Sequence, residues 1–150
     1  AVALAAQQGR DKCRTPMQWA GDKNGGFSPL GVTPWLPVAS NAGEGVNVAA
    51  EEEDPHSMLA FYKLLLACRK EHPALQTGEF ELDTNTPENI VKYDRVGDGE
   101  KITVILNMSA DTVKIKPLAQ RRVLFAANIQ LDQPLNAEIE LTPYAAFILQ

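Results

Sequence analysis

At 150 residues and 45% hydrophobic content, the chain is long enough to bury a core, and its size fits one domain of ordinary dimensions. Its 19 acidic and 14 basic residues are spread along the sequence and leave a net charge of −5, so there is no basic stripe to hold nucleic acid. The two cysteines, Cys13 and Cys68, are far apart and form no CxxC pair, which argues against a disulfide framework or a zinc site and for reduced, buried thiols.

Ala1 to Gln8 is small and apolar, has no cap before it and ends at Gly9; it reads as a helical stub or a frayed end. Ala1 to Ala6 lacks the charged leader and the length of a signal peptide; export is left undecided by the sequence, with the cytoplasm favoured. Next comes the densest chemistry of the chain, GRDKCRTPMQW at Gly9 to Trp19. Arg10 and Arg14 are planar donors suited to carboxylates and vicinal hydroxyls, and Asp11 between them supplies an acceptor that can hold one in place. The residues alone allow a binding constellation or an arginine–carboxylate brace that fixes a loop. From Gly21 to Asn47 the sequence turns irregular, with NGG at Asn24 to Gly26 followed by Pro29, Gly31, Pro34, Pro37, Gly43 and Gly45. Loops of this length are usually functional or lie against a larger body. Phe27, Trp35 and Leu36 are expected to pin it to the chain's own core; the alternative for the aromatics is a sugar-stacking platform.

A helix is predicted over residues 55–71. Asp54 suits the N-cap, Pro55 the first helical position, and Glu51 to Asp54 place negative charge at the positive end of the macrodipole, a local purpose preferred to a metal site. Met58, Phe61, Tyr62, Leu65, Leu66 and Cys68 recur at three- and four-residue spacing and make a wide apolar face. Lys63 interrupts this run, which is also too short to span a membrane. His72 followed by Pro73 stops the helix. His56 and His72, at opposite ends, read as surface or capping groups.

After Pro73 the period changes to alternation. Strands are predicted at Glu79 to Leu82, Ile90 to Arg95, Ile102 to Leu106, Thr112 to Ile115, Val123 to Ala126, Glu138 to Leu141 and Ala145 to Leu149. Gly97-Asp98-Gly99 is a strong hairpin turn. Seven short strands joined by such turns describe a mainly β fold, an antiparallel sandwich with meander or Greek-key connections. Asn107-Met108-Ser109 matches a glycosylation acceptor but is read as a turn. This half holds no paired carboxylates, no nucleophile beside a histidine, no metal spacing and no phosphate loop, so it reads as a scaffold.

GRDKCRTPMQW, GGFS at Gly25 to Ser28, PWLPV at Pro34 to Val38, NV at Asn47 and Val48, and DPHSMLAFYKLLLACRKEHPAL at Asp54 to Leu75 together resemble the C-terminal third of α-glucosidases of glycoside hydrolase family 13, in the branch of oligo-1,6-glucosidase, trehalose synthase and sucrose isomerase. VILNMS at Val104 to Ser109 and LTPYAAFIL at Leu141 to Leu149 resemble that family's C-terminal all-β domain. The intact RDKCRTPMQW motif speaks for the hydrolytic branch over the membrane-anchored transporter subunits of the same family.

The resemblance implies that residues 1–75 are a remnant of the catalytic (β/α)8 barrel, with an active-site loop at 9–47 and the last barrel helix at 55–71, and that residues 76–150 are the Greek-key β-domain. Family members carry an aspartate nucleophile, a glutamate acid/base and a second aspartate upstream of this region, and none has a counterpart here, so no catalytic residue, cofactor or metal is expected and the chain alone should be inactive. Arg10 would bond the 4-hydroxyl of the terminal glucose of an α-glucoside in the intact enzyme. Asp11 and Arg14 would support it, Trp19 and Trp35 would fix the loop, and Met17 would pack beneath it. Where the family often has an aspartate after the tryptophan, this chain has Ala20. The expected partners are the upstream barrel, or a second copy meeting the 55–71 helix face; the alternative function is a stand-alone carbohydrate-binding or interaction module.

Overall fold

In the computed structural model, which describes residues 14–116, 121–129 and 138–150, the alternating half forms seven strands: β1 (Glu79–Leu82), β2 (Ile90–Gly97), β3 (Glu100–Asn107), β4 (Val113–Ile115), β5 (Val123–Ala127), β6 (Ile139–Leu141) and β7 (Ala146–Leu149). All observed pairings are antiparallel. Five strands make one sheet in the order β1-β2-β3-β7-β5, and β4 pairs with β6 in a second. β2 and β3 are joined through Asp98 and Gly99, whose φ angles of 53° and 77° match the positive-φ pair that a two-residue hairpin turn needs.

Central strand β3 is buried on both faces, which explains four buried residues in a row from Ile102 to Ile105. On one face Ile105 joins Phe147 and Leu149 of β7 and Ile139 and Leu141 of the small sheet. On the other, Ile102, Val104 and Ile148 pack with Cys68, Ala74, Leu65 and Leu75. These last four come from helices α2 (Met58–Glu71) and α3 (Pro73–Thr77); a shorter helix, α1 (Val48–Glu53), precedes them. Burial, and then the charge of Glu71, push the Cys68 thiol above its ordinary pKa, as expected of an inert core cysteine. Cys13 lies outside the described residues.

The chain divides into two compact units, Ala1–Leu64 and Leu65–Gln150. The second is closed by two polar clips that long-range pairing creates. Asn107 is fully buried; its amide donates to the carbonyls of Asp111 (2.7 Å), Thr142 (2.9 Å) and Leu141 (3.2 Å), and its oxygen accepts from Ser109 N–H and Oγ–H. An amide so enclosed is a structural tie, in agreement with the turn reading and against a glycan acceptor. The second clip is Glu100, which accepts from Ala74 N–H at 2.9 Å, His72 Nδ1 at 3.0 Å and Gln150 Nε2 at 3.3 Å.

Two expectations about the helices are corrected. The helix predicted at 55–71 begins at Met58: Asp54 instead closes a turn by accepting from His56 N–H, while Ser57 Oγ accepts from Ala60 N–H and takes the cap role. Glu51 to Glu53 lie inside α1, capped by Asn47, although the Glu51 carboxylate does reach the positive end of α2, accepting from Leu59 N–H at 2.9 Å. His72 meets the capping alternative of its reading: it is the N-cap residue of α3, with Pro73 at the first helical position, and its largely covered side chain bonds Glu100.

Candidate functional site

The loop of the first unit leaves most of its large apolar side chains exposed, so hydrogen bonds carry its shape. Asp22 Oδ1 accepts from Asn24 N–H and Gly26 N–H, both at 2.9 Å, closing a tight turn in which Gly25 and Gly26 have φ of 63° and 64°. The Gly25 carbonyl accepts from the N–H groups of Trp19 and Ala20. Asn24 is buried and donates to the Pro29 and Val32 carbonyls, which folds the Gly-Pro stretch back on itself. Gln18 donates to Asn41 Oδ1 and to the Val46 carbonyl, and its own carbonyl accepts from Val48 N–H at 2.9 Å; Asn47 donates to Ala42 O. The segment that follows Arg14 is thereby tied to the start of α1.

Between Thr15–Gln18 and the first turns of α2 lies a cavity of about 400 Å³, lined mainly by apolar side chains including Met17, Val46, Val48, Met58, Leu59 and Tyr62. Arg14 is exposed and is not among the residues that line this cavity; Arg10 and Asp11 lie outside the described residues. No group of three histidines, cysteines, aspartates or glutamates among the described residues is placed to hold a metal ion, and no helix there is long and apolar enough to cross a membrane.

The aromatics do not pin the loop. Trp35 is 90% exposed and Phe27 about half open, so the expectation that they pin the loop to the chain's own core is overturned; Leu36 is half-buried, and Trp19, expected only to fix the loop, is also about half open. The residues that do anchor it are Gln18, Asp22, Asn24 and Asn47, which the sequence reading passed over. A signal existed for two: Asp22-Lys23-Asn24-Gly25-Gly26 is a turn composition in which Asp and Asn bond the backbone ahead of positive-φ glycines.

The sequence matches the family description "Alpha amylase, catalytic domain" over residues 2–78, just over half of its length. The chain belongs to the alpha-amylase family. It is 35% identical over 144 residues to the oligo-1,6-glucosidase of Parageobacillus thermoglucosidasius, covering 93% of this chain and 25% of that protein. A probable alpha-glucosidase of Rhizobium meliloti is 37% identical over 141 residues, with the same coverage. Among solved structures, the trehalulose synthase MutB from Pseudomonas mesoacidophila superposes with a TM-score of 0.78 at 32% identity, over 93% of this chain and 25% of that one. This alpha-amylase family chain therefore spans about a quarter of the length of the relatives it matches.

Proposed function

We infer that the chain is the C-terminal portion of an α-glucosidase-type retaining glycoside hydrolase: residues 1–75 complete the catalytic barrel, and residues 76–150 form a Greek-key β-domain attached to it. The observation that carries this reading is the catalytic-domain match over residues 2–78 in a chain a quarter as long as its relatives. Insertion of β7 between β3 and β5 supports the Greek-key element, and the loop and helix of the first unit are those the resemblance assigns to the last barrel segment. Retaining hydrolysis needs two carboxyl groups about 5 Å apart across the scissile bond. The carboxylate lining the cavity, Glu51, is engaged with the N-terminus of α2, so the chain supplies binding groups and leaves the chemistry to upstream carboxylates. Arg10 bonds the terminal glucose of an α-glucoside in the complete enzyme, held by Asp11 and Arg14.

The test is a chimaera in which this chain replaces the matching C-terminal quarter of the P. thermoglucosidasius oligo-1,6-glucosidase, assayed on p-nitrophenyl α-glucoside beside the 150-residue chain. Activity in the chimaera and none in the chain alone is the expected result; activity in the chain alone, or a folded but inactive chimaera, contradicts it. Within the chimaera, Arg10→Ala should raise KM more than it lowers kcat. The exposure of Trp35 favours one other reading, a stand-alone sugar-binding module. Saturable quenching of tryptophan fluorescence by maltose in the isolated chain, absent in Trp35→Ala, would establish that instead.

A further inference from the structure

Asn24-Gly25 is the one Asn-Gly pair in the sequence. Glycine has no Cβ to shield its backbone nitrogen, so here that nitrogen can attack the preceding side-chain amide with the least hindrance. The reaction needs only water. The Gly25 nitrogen bonds to Asn24 Cγ, the Cγ–Nδ2 bond breaks, and ammonia leaves with the proton that Gly25 gives up. Water then opens the cyclic imide on either side and leaves aspartate or isoaspartate at position 24.

The closed loop opposes the first step and does not suit the product. Asn24 is 4% exposed, and its leaving nitrogen donates to the Pro29 carbonyl at 2.7 Å and the Val32 carbonyl at 2.9 Å. The attacking nitrogen is occupied as well, donating its N–H to the Asp22 carbonyl at 2.9 Å. Ammonia therefore leaves only after these bonds have opened. Once it has left, an oxygen stands where the amide donated and meets the same two carbonyls, acceptor against acceptor, in a buried place. Isoaspartate does further damage: it routes the main chain through Cγ and takes the Asn24 carbonyl out of the turn in which it accepts from Phe27 N–H at 3.0 Å.

We propose that Asn24 is a site of spontaneous deamidation, triggered by opening of the 22–32 loop, whose product makes that opening permanent. Closed, the loop keeps its most labile amide intact; opened, it loses the donor that closes it. Only residues of this loop enter the argument, so it stands apart from the hydrolase reading.

The 150-residue chain, its Asp22→Ala variant and a synthetic peptide of residues 20–30 are incubated together at mildly alkaline pH. Peptide mapping by mass spectrometry follows conversion at Asn24 and separates aspartate from isoaspartate. The chain should convert roughly tenfold or more slowly than the peptide. Asp22→Ala, which removes the acceptor of the Asn24 and Gly26 N–H groups, should bring the rate toward that of the peptide. Equal rates in chain and peptide overturn the protection, and a variant whose Phe27 amide exchanges faster while Asn24 converts no faster overturns the trigger. The Asn24→Asp chain then reads the consequence without waiting for conversion. It should lose exchange protection at Phe27 and Val32, whose N–H groups bond within the loop, and keep it at Thr103 to Asn107. Protection of Phe27 and Val32 equal to that of the unchanged chain overturns the permanence.

Discussion

The two units solve the same problem, holding a chain in shape, by opposite means. The unit Leu65–Gln150 stacks apolar side chains on both faces of one strand and confines polar groups to a few clips such as Asn107 and Glu100. The unit Ala1–Leu64 does the reverse: amides and carboxylates hold the loop from inside, while Met17, Trp19, Phe27, Leu30, Val32 and Trp35 stand outward. Outward apolar side chains on a hydrogen-bonded frame are what an interface element requires, whereas a covered strand is what an independent core requires.

The contrast can be broken most severely in the core. Phe147→Ala should cost about 4 kcal/mol, because the ring is fully buried between the two sheets, and should unfold the second unit at room temperature in moderate urea. Asn107→Ala should cost about 3 kcal/mol by removing the buried amide's bonds to three carbonyls and to the Ser109 donors, read as a lowered urea midpoint. Gly78→Ala comes next, at about 2 kcal/mol: a Cβ there would sit 2.6 Å from the Ala74 carbonyl oxygen and 3.0 Å from that of Val96, both backbone atoms that cannot step aside. In the first unit Asn24→Ala should loosen only the loop, by about 1–2 kcal/mol, with faster amide exchange at Phe27 and Val32 and an unchanged global midpoint. A global loss equal to that of Asn107→Ala would erase the proposed difference between the units.

The smallest effect concerns pH. The Ala74 N–H and the His72 side chain hold the Glu100 carboxyl below the ordinary range against the cost of its partial burial. Its folded pKa is the lower one, so its stabilising contribution is full above the unfolded carboxylate pKa and is lost as pH falls through the folded value. Glu100→Gln should lower stability at neutral pH by about 1 kcal/mol and flatten the acid limb of the stability curve. An acid limb identical to that of the unchanged chain would remove Glu100 from this role.

The strands were legible nearly to the residue because a period of two survives wherever one face is buried; β1 matches its predicted bounds, β2 runs two residues longer than predicted, and β3 extends two residues earlier and one later. The helix was legible in its apolar spacing but not in its start. Asp54-Pro55 has the composition of an N-cap and first helical residue, yet the same pair serves a turn, and Ser57 gains the cap through contacts with Glu51 and Ala60. Glu100 could not be read at all, since its partners lie 26, 28 and 50 residues away and only the folded hairpin brings them together. The loop was misread for a related reason. Aromatics in an irregular segment suggest anchors, but the small polar residues that anchor this one follow no period.

The central claim is that the second unit supports itself while the first is completed by the rest of a catalytic domain. Hydrogen exchange of the isolated chain and of the chimaera under the same conditions tests it most directly. The account predicts slow exchange at Thr103 to Asn107 and at Phe147 to Leu149 in both, and protection of Gln18 to Phe27 and of Val48 to Tyr62 that rises at least tenfold in the chimaera alone. Equal protection of the first unit in the two proteins would contradict it.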